Sequence, residues 1–212
     1  MMGTLVDLPG ASAVQSTIRT GVDPVVRPLG YVRDRGAAAR WADGHAAGER
    51  TYFWVQVHPK AKDPYSGGEF LVEFERSSAA RPAAKLSGRA RFDQLLTGAE
   101  LETILEHQND LIASLPRPPA SHVASYPPDL RQTYLQEFEP QGNPSPGNLW
   151  LRYQTLDHIH GWLRLIRGLL PSLLARAKRL DPHVVYLGSK IDLDADPLRP
   201  TNPLLIKRPP EE

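Results

Sequence analysis

The sequence contains no cysteine among its 212 residues. A disulfide, a thiolate nucleophile, an iron–sulfur cluster and a cysteine-ligated zinc site are therefore excluded. A run of about 20 apolar residues, the length that a membrane-spanning helix needs, is also missing. Charged residues interrupt the short apolar runs of the first thirty positions, so we find no signal peptide there. We expect a cytoplasmic protein that makes no use of a membrane.

The sequence also lacks a large net charge of either sign. Lys and Arg number 25, Asp and Glu number 24, and the formal net charge is +1. No overall field attracts nucleic acid or an anionic membrane, so any such binding has to be local. The chain is 41% hydrophobic and 23% charged, which is the composition of a globular domain with a sizeable core.

Proline, in contrast, is abundant, and its 21 residues are clustered. Proline fixes φ and lacks an amide donor, so each cluster marks a boundary between regular elements. We predict one α+β domain over residues 1–196, with a proline-rich connection near 139–148. An extended proline-rich tail is predicted over 197–212.

Alternating side chains predict two strands, Arg50–His58 and Gly68–Arg76. In both, one face is apolar, which predicts a sheet with one buried face and one wetter face. Helices are predicted from about Ser12 to Leu29 and at Thr97–Leu115, and a strand at His183–Gly188. Because strands and helices do not alternate regularly, the fold class is α+β with a mostly antiparallel sheet packed by helices.

The strongest helical pattern runs from Thr155 to Leu180. Its apolar residues fall on one side at 3.6-residue spacing and its basic residues on the other, which predicts a long amphipathic C-terminal helix. The basic side contains the predicted binding residues, which are His160, Arg164, Arg167, Lys178 and Arg179. Their donors suit phosphates or a partner's carboxylates. The alternatives are a solvated face, or a face neutralised by the acidic helix around Glu100–Asp110.

Four carboxylates in or just before the second strand are candidate catalytic residues: Asp63, Glu69, Glu73 and Glu75. Carboxylates that project together can hold Mg²⁺, and nucleases combine such a group with a nearby lysine. The strand ends without that lysine, although Lys60 and Lys62 are close in sequence. The alternative interpretation is that these charges mark the solvent side of a half-buried strand.

Two further patterns resemble metal sites but lack the required geometry. His158 and His160 are two residues apart, and on a helix such side chains point about 200° from each other. The aspartates at 192, 194 and 196 copy the start of a calcium loop, but Pro197 and Pro203 stand where that loop needs glycine and glutamate. We therefore predict no metal and no cofactor.

One resemblance covers about the first 80 residues. A helix followed by Pro28-Leu29-Gly30-Tyr31-Val32-Arg33, then Trp41, then Phe53-Trp54-Val55-Gln56-Val57 and Gly68-Glu69-Phe70-Leu71-Val72-Glu73-Phe74 resembles a bacterial family of uncharacterised small α+β domains, a domain of unknown function. The resemblance implies a fold of this kind. It implies no catalytic residue.

The leading functional hypothesis is a bacterial accessory or interaction protein without catalysis. Its partner would be another protein or a second copy in a homo-oligomer, bound through the basic helix face or the proline-rich tail. Nucleic acid is an alternative ligand of the basic face. The hypothesis from a different class is a metal-dependent hydrolase or nuclease that uses the carboxylates of the 63–75 region.

Overall fold

A computed structural model describes residues 7–34, 39–43, 48–58, 63–77, 88–186, 188 and 190–191, and the backbone of 206–207. The helices in these ranges are α1 (Ala11–Val26), α2 (Phe92–Leu95), α3 (Gly98–Ser114), α4 (Ala120–Ala124), α5 (Pro128–Gln136) and α6 (Leu156–Ala177), and a 3₁₀ turn follows α1 at Arg27–Leu29. The strands are β1 (Tyr31–Arg33), β2 (Arg40–Asp43), β3 (Arg50–Val57), β4 (Gly68–Ser77), β5 (Arg89–Arg91), β6 (Leu151–Tyr153), β7 (Val184–Val185) and β8 (Ile206–Lys207).

Strands β1 to β6 form one antiparallel sheet. The order is β1-β2-β3-β4, and the far edge of β4 pairs with β5 at one end and with β6 at the other. In the centre, Val55 of β3 lies opposite Val72 of β4. The α+β class, the antiparallel sheet and the long C-terminal helix predicted from the sequence are confirmed.

The hydrophobic core lies between this sheet and helices α1 and α6. Apolar side chains of β3 and β4, among them Phe53, Phe70 and Phe74, are at most 1% exposed. Trp41 of β2 stacks on Phe53 with ring centroids 4.7 Å apart. α1 and α6 contact each other and contribute Ile18 and other buried residues to the same core.

The opposite face of the sheet is the wetter one, as predicted, but it is covered in part. Gln56 is exposed, and Trp54, Glu69 and Glu73 are half-buried. Glu75 is 1% exposed, Tyr52 3% and Leu71 0%. The register explains Glu75, because it places this residue between Tyr52 on β3 and Arg89 on β5. Arg89 Nε lies 3.4 Å from Glu75 Oε2, so this strand carboxylate is buried as part of an ion pair.

Helix α6 agrees with its sequence pattern. Thr155 caps the N-terminus by accepting a hydrogen bond from the backbone amide of His158. The helix continues through Pro171, and the predicted apolar side is buried or partly buried. Short elements such as α2, α4 and β5 are not predicted, because segments of three to five residues show too little periodicity.

The strand predicted at His183–Gly188 is reduced to β7, which pairs with the backbone of β8 in a separate two-stranded sheet. The remainder of the predicted tail, 197–205 and 208–212, lies outside the described residues, and the division at residue 196 stays a prediction. No helix in the described part of the chain is both long enough and apolar enough to cross a membrane.

A tight turn over Asp63–Gly67 leads into β4, and its last residue has no room for a side chain. Gly67 has φ +78°, and a Cβ atom there would lie 2.3 Å from the backbone oxygen of Tyr153 in β6. Two features therefore require glycine at position 67, the left-handed backbone conformation and the close approach of β6. The turn sets the position of Asp63 relative to the sheet.

We predict that Gly67→Ala lowers the free energy of unfolding by about 2–4 kcal/mol, because it adds a backbone clash to the strain of a positive φ. The matched control is Gly48→Ala, since Gly48 has φ +97° but nothing within 4 Å of the point where a Cβ atom would be attached. The control should cost only about 1 kcal/mol. Urea denaturation measures both, and equal losses would contradict the inferred clash.

Candidate functional site

A groove of about 540 Å³ lies between α1 and α6. Its lining residues are Ser16, Thr17, Thr20 and Gly21 of α1, and His160, Leu163, Arg164 and Arg167 of α6. His160, Arg164 and Arg167 follow one another at i, i+4 and i+7, so all three project from one side of α6. The structure thus places three of the five predicted binding residues together, opposite hydroxyl groups of α1.

Gly21 of α1 and Leu163 of α6 meet at the floor of the groove. A Cβ atom on Gly21 would lie 2.7 Å from Leu163 Cδ1, so the side chain of Leu163 occupies the space that the glycine leaves open. Leu163 is 5% exposed and supplies an apolar base. Charged groups above an apolar base are less well solvated than charges on a flat surface, which strengthens their interaction with an ion of opposite sign.

The groove arginines have no counter-ion among the described residues. No carboxylate in that part of the chain forms an ion pair or hydrogen bond with Arg164 or Arg167. Glu100 of the acidic helix α3 instead accepts hydrogen bonds from the guanidinium of Arg176, with N–O distances of 2.6 and 3.1 Å. The neutralisation by α3 that the sequence left open is therefore not seen at the groove.

Lys178 and Arg179 lie apart from the groove. They follow the end of α6, about 21 Å along the helix axis from Arg164 at 1.5 Å per residue. Lys178 Nζ is 3.2 Å from Asp43 Oδ2 and 5.5 Å from the centre of the Tyr31 ring. The predicted basic row is therefore divided into a groove cluster and a lysine that already has an acidic partner.

A second polar cluster centres on Asp63. Its Oδ1 accepts hydrogen bonds from the backbone amides of Tyr65 and Ser66, at 2.7 and 3.1 Å, and from the Tyr134 hydroxyl at 3.2 Å. Its Oδ2 accepts one from the Tyr126 hydroxyl at 2.6 Å and lies 3.3 Å from His122 Nε2. One carboxylate therefore connects the turn before β4 to α4 and α5.

These contacts determine the protonation of the cluster. Burial by itself would raise the pKa of Asp63, but the hydrogen bonds from Tyr126, the two amides and His122 lower that pKa to about 2. Burial and the adjacent Asp63 raise the pKa of Tyr126 to about 12, and they raise the pKa of Tyr134 further. At neutral pH the carboxylate is charged and both phenols are neutral donors.

Beside this cluster lies a cleft of about 640 Å³. Its walls include His122, Tyr126 and Tyr134 on one side and Glu69 and Arg152 on another. Arg152 is 2% exposed. Its guanidinium donates to the carbonyl and the carboxylate of Glu137 and, at 2.8 Å, to the carbonyl of Ser66.

The four candidate catalytic carboxylates are not gathered at one point. Asp63 and Glu69 line the same cleft. Glu73 lies 3.7 Å from Arg91 Nε, and Glu75 is buried against Arg89, so both belong to ion pairs further along β4. In the described ranges no three His, Asp or Glu side chains form a group that could hold a metal ion. The metal-dependent hydrolase stays an untested hypothesis, and Lys60 and Lys62 lie outside those ranges.

His158 and His160, the two histidines of the metal-like pattern, also lie in different environments. His158 Nδ1 accepts a hydrogen bond from the backbone amide of Gln154 at 3.1 Å, and burial lowers the pKa of His158. His160, in contrast, is exposed at the groove. The aspartates at 192, 194 and 196 lie outside the described residues.

Sequence reasoning missed the hydroxyl side of the groove and most of the Asp63 cluster. Ser16, Thr17 and Thr20 have the spacing of one polar face of α1, so that side could have been found. No local signal connects Asp63 with Tyr126 or Tyr134, which are 63 and 71 residues away.

Comparisons with protein-family models, with curated proteins and with solved structures found no match for this chain. The family resemblance of the first 80 residues therefore stays a prediction.

We predict that Asp63→Asn lowers the free energy of unfolding by about 1–3 kcal/mol at pH 7, because several hydrogen bonds lose their charged acceptor. The folded-state pKa of Asp63, about 2, is below the ordinary carboxyl value near 4. The stabilisation is therefore present above about pH 4 and is lost as pH falls towards 2. Urea unfolding at several pH values should show the difference between wild type and variant shrinking over that interval.

The control for this experiment is Glu102→Gln, on the exposed side of α3. It should change the stability little at any pH. A difference between wild type and Asp63→Asn that stays constant down to pH 2 would contradict the assigned role of the charge.

Proposed function

We propose that this protein is a non-catalytic interaction protein that binds an acidic segment of a protein partner in the groove between α1 and α6. The observation that carries the proposal is the pair Arg164 and Arg167. Both line the groove, and neither has a counter-ion among the described residues. Two adjacent guanidinium groups are well suited to carboxylates, which they bind through paired hydrogen bonds.

The surroundings of the arginines favour a ligand over a merely solvated surface. An isolated ion pair on an open surface contributes little, since water and salt screen it. Here the cations stand above the apolar side chain of Leu163 and opposite the hydroxyl groups of Ser16, Thr17 and Thr20. Such a groove supplies several hydrogen bonds to one extended acidic segment and excludes part of the water around it.

A protein partner fits the groove better than nucleic acid does. Strong binding to nucleic acid uses many phosphate contacts, and single-stranded ligands also use exposed aromatic rings for base stacking. Among the described residues, the groove is lined by two arginines and one histidine and by no Phe, Tyr or Trp ring. The formal net charge of +1 adds no long-range attraction for phosphates.

The functional hypothesis has three further parts, which are the identity of the partner, the role of the tail and the location of the protein. The partner is either a different protein or a second copy of this chain, whose exposed acidic residues on α3 would then be the ligand. The predicted docking of the proline-rich tail concerns residues mostly outside the described ranges, and the cytoplasmic location is likewise a prediction. The groove hypothesis can be tested independently of the tail and of the location.

The test is fluorescence polarisation with a labelled glutamate-rich peptide, its glutamine counterpart and a single-stranded oligonucleotide. We expect the glutamate peptide to bind and the glutamine peptide to bind far more weakly. Arg164→Glu combined with Arg167→Glu should weaken binding about tenfold or more, since each substitution replaces an attractive charge with a repulsive one. Circular dichroism should remain unchanged, because both side chains are exposed.

The matched control combines Arg33→Glu with Lys190→Glu, two exposed cations that do not line the groove. It makes the same change in net charge and should leave peptide binding within about twofold. Equal weakening by both double variants would contradict a specific groove. Tighter binding of the oligonucleotide, with a steep dependence on salt, would replace the protein partner by nucleic acid. Light scattering of the free protein separates a second copy from a different partner.

A further inference from the structure

We propose that the cleft beside Asp63 binds a small organic ammonium ion that also carries an oxygen acceptor. The site is separate from the groove between α1 and α6, and the proposal does not depend on it. It rests on the aromatic wall of the cleft, its unequal charges and an unsatisfied donor on Arg152.

The wall of the cleft is aromatic over one side. Tyr126 and Tyr134 stack with ring centroids 4.3 Å apart, and the ring of His122 lies 5.7 Å from that of Tyr126. The ring of Tyr65 lies 4.6 Å from that of His122. Aromatic faces attract organic cations and also accommodate the alkyl groups around the nitrogen.

The charges of the cleft are unequal. Among the described residues that line the cleft, Asp63, Glu69 and Glu137 accompany one cation, Arg152. Asp63 is saturated by its five contacts, and Arg152 is held by Glu137, whereas no described side chain pairs with the Glu69 carboxylate. Burial raises the pKa of Glu137, Arg152 opposes that rise, and the charges of Glu69 and Asp63 add to it. A cation near Glu69 would relieve this excess of negative charge.

Arg152 indicates that the ligand also carries an oxygen acceptor. The residue is 2% exposed and lines the cleft, but its Nε–H has no hydrogen-bond partner among the described residues. A buried donor without an acceptor is costly. The Nε atom is itself covered, so the guanidinium has to shift before it can donate to a hydroxyl or carboxylate oxygen of a ligand. Such a ligand, with its ammonium towards Glu69 and the rings, would satisfy both groups.

The size of the cleft indicates an organic molecule. Its volume of about 640 Å³ lies within the range of roughly 300–1,000 Å³ that small-molecule sites occupy. Leu130, which is 49% exposed, lines the opening and gives an apolar contact that can be altered without disturbing the core.

The test is isothermal titration calorimetry of the full chain with choline and with 3,3-dimethylbutanol, a neutral molecule of nearly the same shape. We expect choline to bind with a dissociation constant on the order of 1 mM or lower. The neutral molecule should bind at least about tenfold more weakly, because only the cation interacts favourably with the ring faces and Glu69. Failure of choline to bind, or equal binding of both, overturns the proposal.

Two variants locate the site. Glu69→Gln removes the unpaired charge and Leu130→Arg places a cation at the opening, and each should weaken choline binding about tenfold. Glu102→Gln, on the exposed side of α3, should leave choline binding unchanged. Choline affinity that is unaffected by both cleft variants overturns the assignment to this cleft. Arg164→Glu with Arg167→Glu separates this proposal from the first, since it should weaken the acidic peptide and not choline.

Discussion

The burial of one side of α6 is the constraint on which the rest of the structure depends. Ile159, Trp162 and Leu170 are each 0% exposed, and they hold the helix against the core. The indole nitrogen of Trp162 also donates to the backbone oxygen of Arg152, at 2.6 Å, and so joins α6 to β6. With this side fixed, the basic side has to face outward. The groove arginines are therefore displayed by the same packing that stabilises the domain.

The two candidate sites use charge in different ways. At the groove, guanidinium groups stand above an apolar base without a described counter-ion, so their hydrogen-bonding capacity is available to a partner. At the Asp63 cluster, a carboxylate is already surrounded by donors and acts as a connection between the turn before β4 and the helices α4 and α5. The cleft beside it keeps an excess of negative charge through Glu69 and Glu137. One surface thus suits anions and the other suits cations, although the whole chain is nearly neutral.

The prediction for β4 shows that a sequence pattern gives the face on which a strand residue lies but not whether that residue is buried. Alternation correctly placed Phe70, Val72 and Phe74 on one face, because a strand has a strict period of two. The same pattern placed Glu75 on a solvent face, yet it is buried against Arg89. Whether a strand residue is covered depends on the neighbouring strands, and β5 is too short to show a pattern of its own. The expected catalytic group was divided for the same reason, since Glu73 and Glu75 pair with arginines of β5.

The sequence by itself determined the elements whose signals are local. The helix predicted at Thr97–Leu115, the two long strands and the amphipathic helix α6 follow from spacing and terminal residues, which depend on interactions within a few positions. Only the tertiary structure decided which distant residues meet. It brought Ser16 to the groove opposite Arg164, and it brought Tyr134 to Asp63 across 71 positions. Such contacts depend on the packing of whole elements, and no period in the sequence records how two elements will be placed against each other.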